Sequence, residues 1–370
     1  MFSDFDRTAM QRALSLAARG LASTDPNPRA GCVIARGERI VGEGWHERAG
    51  EAHAEVAALR AAASQAIGAT VYVTLEPCSH QGRTAPCTLA LIGARVARVV
   101  YAVGDPNPQV NGRGAEALRG GGITVETGLC ESEARELNAG FFKRMQVGRP
   151  FVRVKLAMSL DGRTALADGT SRWITGEAAR EDVQAWRARS SAVLTGVGTV
   201  LSDDPRLNVR LPATAREPRQ PLRVVLDTHL RTPPGARLLA TGGEVLILTA
   251  LTGLDETRAA ALSARGARVE TLPAQGERLE LPAVLERLGE LEANEVLVEA
   301  GATLAGQILR EGLADELLLY MAPKLLGPDA RALVNLPPLR ELKDAPAFGL
   351  IESHPVGADL RLRLRPAASA

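Results

Sequence analysis

The 370-residue chain has few aromatic residues, at 3%, only four cysteines, and only four lysines (Lys143, Lys155, Lys324 and Lys343) among 44 basic side chains. Few aromatics leave little for base stacking, and a net charge of +1 gives no cationic excess to meet a phosphate backbone. Nucleic acid is therefore disfavoured as a partner, and a small molecule is expected instead. No apolar run approaches the roughly 18–20 residues that a membrane span needs, and no charged-then-apolar leader precedes Ser3. With so few cysteines the expectation is a reducing, cytoplasmic location with no membrane partner. In a chain that uses arginine almost throughout, a lysine marks a place where a compact, tunable ammonium serves and a planar guanidinium does not. This singles out Lys155 and Lys324, which flank motifs described below, while chance accounts equally well for Lys143 and Lys343.

The length holds two domains, each able to bury a core. The first is organised around residues 53–87. His53-Ala54-Glu55 opens an alanine-rich helix, a short strand delivers Glu76-Pro77-Cys78, and Cys87 closes the following loop. His53, Cys78 and Cys87 make three zinc ligands, one short of a closed structural site, which leaves a fourth position for a water. Glu55 is the natural partner for that water's proton, and the set is the arrangement of zinc deaminases. His53 and Glu55 reach one point because both sit in the first helical turn, whose side chains lean towards the N-terminus. A structural Cys/His zinc site is the competing reading; the His-x-Glu spacing, Pro77 and a strand ending just before Cys78 favour the catalytic one. Eight residues separate the two cysteines, where the general deaminase signature has two. His80 reads either as pocket wall or as an exposed loop histidine.

In chain order, Ser3 caps a first helix, and Asn27, held between Pro26 and Pro28, presents an amide suited to a pyrimidine edge or to an ordinary turn. A strand at 31–35, a hairpin and a second strand lead to the unassigned His46 and the metal helix. Strands at 70–75, 97–103 and 123–127 alternate with helices, the last spanning 131–145. This pattern predicts an α/β/α sandwich of the cytidine-deaminase type. Asn107 and Arg113, in a glycine-rich loop, suit a ribose phosphate or a plain surface turn.

The boundary falls at Val147-Gly148-Arg149-Pro150, giving domains 1–148 and 149–370. The pattern then restarts with a strand running into Ser159-Leu160-Asp161-Gly162-Arg163, which resembles the opening of reductases built on the dihydrofolate-reductase α/β fold. A strand at 192–194 ends in the turn-rich segment Thr195 to Leu207, and Thr199, Asp203 and, just beyond it, Arg210 offer donor, acceptor and cation within a short reach. No Rossmann glycine fingerprint follows a strand in this half. A nucleotide would therefore sit at Val298-Glu299-Ala300-Gly301, where free amides at a helix start suit a pyrophosphate, although strand-to-helix junctions of this kind also occur without a ligand. Arg223 and Arg231 would favour a phosphorylated dinucleotide or serve as solvated charges.

Both halves, in this order and over nearly the whole chain, resemble the bifunctional riboflavin-biosynthesis deaminase/reductases. The resemblance rests on His53-Ala54-Glu55-Val56, on Glu76-Pro77-Cys78-Ser79-His80 with Gly82-Arg83-Thr84, on Ser159 to Thr164, on Asp203-Asp204-Pro205 and on Val298 to Gly301. It implies a diaminopyrimidinone ribosyl phosphate, a pyrimidine ribonucleotide, as substrate. The substrate would be deaminated on zinc and then reduced from ribosyl to ribityl by NADPH. By the resemblance, the cofactor would touch Ala157, Trp173, Thr199, Asp203, Thr228 and the run Gly301, Ala302, Thr303, Leu304, Ala305, Gly306 and Gln307. The substrate would touch Ser171, Arg187, Leu207, Arg210 and Glu299, with Asn27 in the deaminase pocket. Lys155 is added as a residue that assists proton transfer or anchors the sugar. A homodimer through the second domain is also implied. The competing whole-chain readings are a nucleic-acid deaminase and a second domain that only senses NADPH.

Overall fold

The computed structural model describes all residues except 81–84, 172, 212–217, 277 and 368–370. The chain divides into two compact units, Met1–Gly148 and Arg149–Ala370.

In the first unit, α1 (Asp4–Ala18) starts at Ser3, whose hydroxyl accepts from the Asp6 amide while the Asp6 carboxylate accepts from that of Ser3, a capping box. The chain continues through β1 (Gly31–Arg36), β2 (Arg39–Trp45), α2 (Ala54–Ala62), β3 (Thr70–Val73), α3 (Cys87–Gly93), β4 (Arg98–Tyr101), α4 (Arg113–Gly120), β5 (Thr124–Thr127), α5 (Glu131–Leu137) and α6 (Ala139–Val147). The sheet order is β2-β1-β3-β4-β5, with β1 antiparallel to both neighbours and β3, β4 and β5 parallel. Alternation along β1 builds two cores. Val33 and Ala35 pack with α1, α5 and α6, and Cys32 and Ile34 pack with α2, α3 and α4. This is the expected α/β/α sandwich.

Two features aim α2. A Cβ at Gly44 would meet the Ala54 carbonyl oxygen at 2.5 Å, and one at Gly42 the Ala58 oxygen at 2.4 Å, so only glycine lets the helix lie this close to β2. The single helix expected over 131–145 is instead broken at Asn138. That side chain is spent on the Arg29 backbone, with Oδ1 accepting from its N–H at 2.8 Å and Nδ2 donating to its carbonyl at 2.9 Å. Two good backbone hydrogen bonds to a distant loop outweigh one helical turn.

The second unit runs β6 (Phe151–Ser159), β7 (Arg163–Ala165), α7 (Glu177–Arg189), β8 (Ala192–Gly196), α8 (Val197–Asp203), β9 (Leu222–Leu226), β10 (Val245–Ala250), α9 (Glu256–Ser263), β11 (Ala267–Leu272), β12 (Ala274–Gln275), β13 (Arg278–Leu279), α10 (Leu281–Glu290), β14 (Glu295–Glu299), α11 (Ala302–Arg310), β15 (Glu316–Ala322), β16 (Arg331–Ala332), β17 (Phe348–Val356) and β18 (Asp359–Pro366). Nine strands form one sheet in the order β11-β10-β9-β8-β14-β6-β15-β18-β17, parallel as far as β15 and closed by the antiparallel β18–β17 hairpin. The turn-rich segment after β8 is in fact the short helix α8. Its two glycines lie near the start of the helix and do not interrupt it.

At the centre of this sheet Arg153 (β6) bonds Glu295 (β14) at 2.8 Å and Glu316 (β15) at 2.6 Å. Arg189 completes Glu295 and Arg363 completes Glu316. The carboxylates are almost fully buried, so these paired guanidiniums are a condition of their staying charged.

Candidate functional sites

In the first unit His53 is the residue just before α2, and Glu55 lies within the first turn. The ligand atoms of His53, Cys78 and Cys87 lie within 4.8 Å of one another. His53 Nδ1 is 3.2 Å from Cys87 Sγ and 3.5 Å from Cys78 Sγ. An imidazole and two sulfurs form a donor set of the softness zinc prefers, and three ligands leave one position open. The interaction with Cys87 holds the Cys78 thiol down to about 4 against burial, while the interaction with Cys78 and burial push Cys87 up. Glu55 is buried, which pushes its carboxyl above the ordinary range; the Cys78 charge adds to this and His53 opposes it.

Asn27 stands beside this group through His46. The Ala52 carbonyl accepts from His46 Nδ1 at 3.0 Å, so that nitrogen carries the proton and Nε2 accepts. Asn27 Nδ2 therefore donates to Nε2 at 3.1 Å, which orients the amide. The His46 ring lies edge-on to His53, with centroids 5.4 Å apart.

In the second unit a cavity of about 1310 Å³ opens at the carboxyl ends of β6, β8, β9 and β14, where open α/β sheets bind ligands. It brings together Lys155, Ala157, Ser171, Trp173, Arg187, Thr199, Asp203, Leu207, Arg210, Thr228, Glu299, Gly301, Ala302, Thr303, Leu304 and Gln307. On its floor Arg187 grips Glu299 with two bonds, at 2.5 and 2.9 Å, and donates to the Asn208 carbonyl at 3.1 Å. Burial alone would raise the Glu299 carboxyl, but Arg187, Lys155 and Arg210 outweigh it and hold it below its ordinary value. Burial lowers Lys155. Leu207 adopts φ +54, a left-handed conformation that costs a non-glycine residue and here turns the chain into the cavity wall. Gly301 precedes α11 with no side-chain cap, so the first amides of that helix are open to an anion.

Residues 3–103 match the family model of the cytidine and deoxycytidylate deaminase zinc-binding region, and residues 150–362 match that of the RibD C-terminal domain. The riboflavin biosynthesis protein RibD of Escherichia coli K12 is 50% identical over 368 residues, which cover 97% of this chain and 99% of its own. The structure of Acinetobacter baumannii RibD aligns with TM-score 0.90 at 46% identity, over 98% of this chain and 99% of that one. The Thermotoga maritima diaminohydroxyphosphoribosylaminopyrimidine deaminase/5-amino-6-(5-phosphoribosylamino)uracil reductase aligns with TM-score 0.85 at 33% identity, over the same shares. The chain belongs to the RibD family. Like RibD, it is a bifunctional enzyme of riboflavin biosynthesis that joins a zinc-binding deaminase domain to a reductase domain, a hydrolase and an oxidoreductase in one chain. Among the described residues no helix is long and apolar enough to cross a membrane.

Against this RibD framework several residues have other duties than expected. Ala305 and Gly306 do not line the cavity: both lie on the buried face of α11, and a Cβ at Gly306 would meet the Asn335 carbonyl oxygen at 2.2 Å. Arg223 is fully buried and its guanidinium is spent on the carbonyls of Leu238, Thr241, Gly242 and Gly243, so it is not available to a dinucleotide. Asn107 Oδ1 is taken by the Gln109 amide. The amides at the start of α4 that a phosphate would need are taken by Glu76, which accepts from Gly112, Gly114 and Ala115 at 3.0–3.1 Å. Lys324 ties down the backbone, donating to the carbonyls of Trp173 and Ile174 at 3.1 and 2.9 Å. Gly82, Arg83 and Thr84 of the resemblance lie outside the described residues. His80 is half-buried there, with no hydrogen-bond partner for Nδ1 among the described residues.

Proposed function

We propose that the domain of residues 1–148 deaminates a diaminopyrimidinone ribosyl phosphate and that the domain of residues 149–370 reduces the deaminated product's ribosyl group to ribityl with NADPH. The observation that carries this reading is the convergence of His53, Cys78 and Cys87 on one point beside the buried carboxyl of Glu55. His53, Cys78 and Cys87 would hold zinc, which when bound supplies the acidification that makes water nucleophilic near neutral pH. Glu55 takes a proton from that water and delivers it to the departing amine, so that ammonia leaves and a ring carbonyl forms. Its raised proton affinity suits it to both steps. Asn27, with its N–H committed to His46, presents Oδ1 to the ring's donor edge.

In the reductase, Gly301, Ala302, Thr303, Leu304 and Gln307 with Thr199, Asp203, Thr228, Trp173 and Ala157 would hold NADPH, which when bound supplies the hydride. Ser171, Leu207 and Arg210, with the Arg187–Glu299 pair, would hold the sugar phosphate. Lys155 faces the sugar and anchors its oxygens or delivers the balancing proton. The protein acts in the cytoplasm without nucleic acid, and a homodimer forms through the second domain. Supporting the dimer, Leu317, Leu319 and Met321 of β15 stand opposite Leu364, Leu362 and Leu360 of β18 and form a partly buried apolar strip near the sheet edge.

The experiment is ammonia release from the diaminopyrimidinone ribosyl phosphate without cofactor, followed by NADPH addition while its absorbance is watched. Release followed by NADPH consumption is expected. Zinc-loaded protein that gives neither signal refutes both assignments, and release without consumption refutes the second.

A further inference from the structure

Lys155 carries an ammonium into the reductase cavity from β6. Its neighbouring acid Glu299, its register partner on β14, has both oxygens committed to Arg187. Among the described residues Lys155 Nζ makes no hydrogen bond, and the contact that defines its position is a ring: Nζ lies 5.9 Å from the centroid of Tyr320, at the edge of cation–π reach.

Tyr320 comes from β15, beside β6, and is fully buried while lining the same cavity. Its hydroxyl is committed elsewhere, donating to Asp182 Oδ2 at 2.5 Å. Asp182 is itself fixed by Arg361, at 2.8 and 2.9 Å, and by Trp186 Nε1 at 3.2 Å. A phenol held in this way is not a proton donor to the cavity: burial and the Asp182 bond push its pKa far up. It is also not an acceptor for the ammonium, which keeps its N–H donors for whatever enters.

The geometry points to Tyr320 as a positioning residue of the reductase: its ring, whose place on β15 the sheet and the surrounding core fix, seats the Lys155 ammonium with its donors turned to the sugar. This rests on the reading of Lys155 given above and extends it to the group that holds it. The charged groups facing Lys155 are Glu299 from β14 and Arg187 from α7, so the ring is the apolar wall of an otherwise ionic seat.

The test compares Tyr320→Leu, Tyr320→Phe, Lys155→Met and the Lys155→Met/Tyr320→Leu double variant in the full-length, zinc-loaded chain. NADPH oxidation is followed on the pyrimidine that the chain itself deaminates, and ammonia release and NADPH affinity report on folding. Removing the ring should lower reductase kcat at least about tenfold with the KM for NADPH unchanged. Tyr320→Phe, the conservative variant, should restore kcat to within about threefold, because the ring is the working part. The double variant should be no slower than Lys155→Met alone, since both act through one ammonium. Losses that add in the double variant, full speed in Tyr320→Leu, or a slow Tyr320→Phe with normal NADPH affinity would each overturn the proposal. If Tyr320→Leu does not fold, the Tyr320→Phe result still decides between ring and hydroxyl. Full speed in Lys155→Met would sink the underlying reading of Lys155 instead.

Discussion

Replacing Glu299 with glutamine should cost the reductase domain both stability and rate, and the size of the first effect follows from the ion pair. Arg187 and Glu299 are joined by two bonds at 2.5 and 2.9 Å, with side chains only 10% and 12% exposed. Removing one partner of a buried pair leaves an uncompensated charge and typically costs about 3–5 kcal/mol. Here the lower end applies, because Arg187 keeps the Asn208 carbonyl, the glutamine oxygen still accepts one bond and the cavity admits water. A loss of about 3 kcal/mol in a domain of this size lowers Tm by roughly 6–12 °C. The pH dependence has a definite sign. The folded-state pKa of Glu299 lies below its ordinary value, so the stabilisation is fully present above about pH 4.3 and is lost as pH falls through the folded value. The gap between wild type and Glu299→Gln should therefore be widest near neutrality and close on acidification. Thermal unfolding at several pH values, read from loss of NADPH oxidation after heating, gives the curve. Equal Tm values at pH 7, or a gap that widens in acid, would refute the reasoning.

Glu55→Gln should lower ammonia release by about 10²–10⁴-fold while zinc content and NADPH consumption on supplied deaminated product stay unchanged; a loss below tenfold would mean that another group carries the proton. Cys87→Ser should remove zinc on dialysis against a mild chelator while leaving the reductase active, and full zinc retention measured by elemental analysis would remove Cys87 from the ligand set. Arg153→Met should destabilise the second unit by about 3 kcal/mol in urea, because Arg189 and Arg363 only partly compensate Glu295 and Glu316. A triple change of Arg153, Glu295 and Glu316 to apolar residues should recover most of that loss, and failure to recover would mean that packing around Trp186 dominates.

The clustering of His53, Cys78 and Cys87 was legible because the features that signal it are local. His53 and Glu55 hang on the start of α2 and Cys78 on the loop that follows β3, and their types and spacing survive translation into space. The parts that were not legible depend on partners far along the chain. Glu76 appeared only as part of a motif, but its carboxylate holds the start of α4, residues 112–115. His46 had no assignment because its meaning lies in what its two nitrogens touch, Ala52 and Asn27. Asn138 broke an expected helix for the sake of Arg29. In the second unit β10 is buried throughout, and an unbroken apolar run carries no periodicity that separates strand from helix.

Arginine and lysine divide the work of the second unit according to what each can surrender. Arg153 and Arg223 are buried where a lysine would tend to shed its proton: Arg153 is forked between two carboxylates, and Arg223 is spread over backbone carbonyls. A guanidinium holds its charge there and satisfies several acceptors at once. Lys155 is the opposite case. It sits in the cavity against a ring, has no hydrogen bond among the described residues and is lowered by burial, conditions under which a fixed, forked cation would be left unsatisfied. The scarcity of lysine in the composition thus has a local counterpart: at Lys155 the proposed role, anchoring the sugar or delivering a proton, asks for a compact and tunable ammonium, which arginine's permanent fork does not supply.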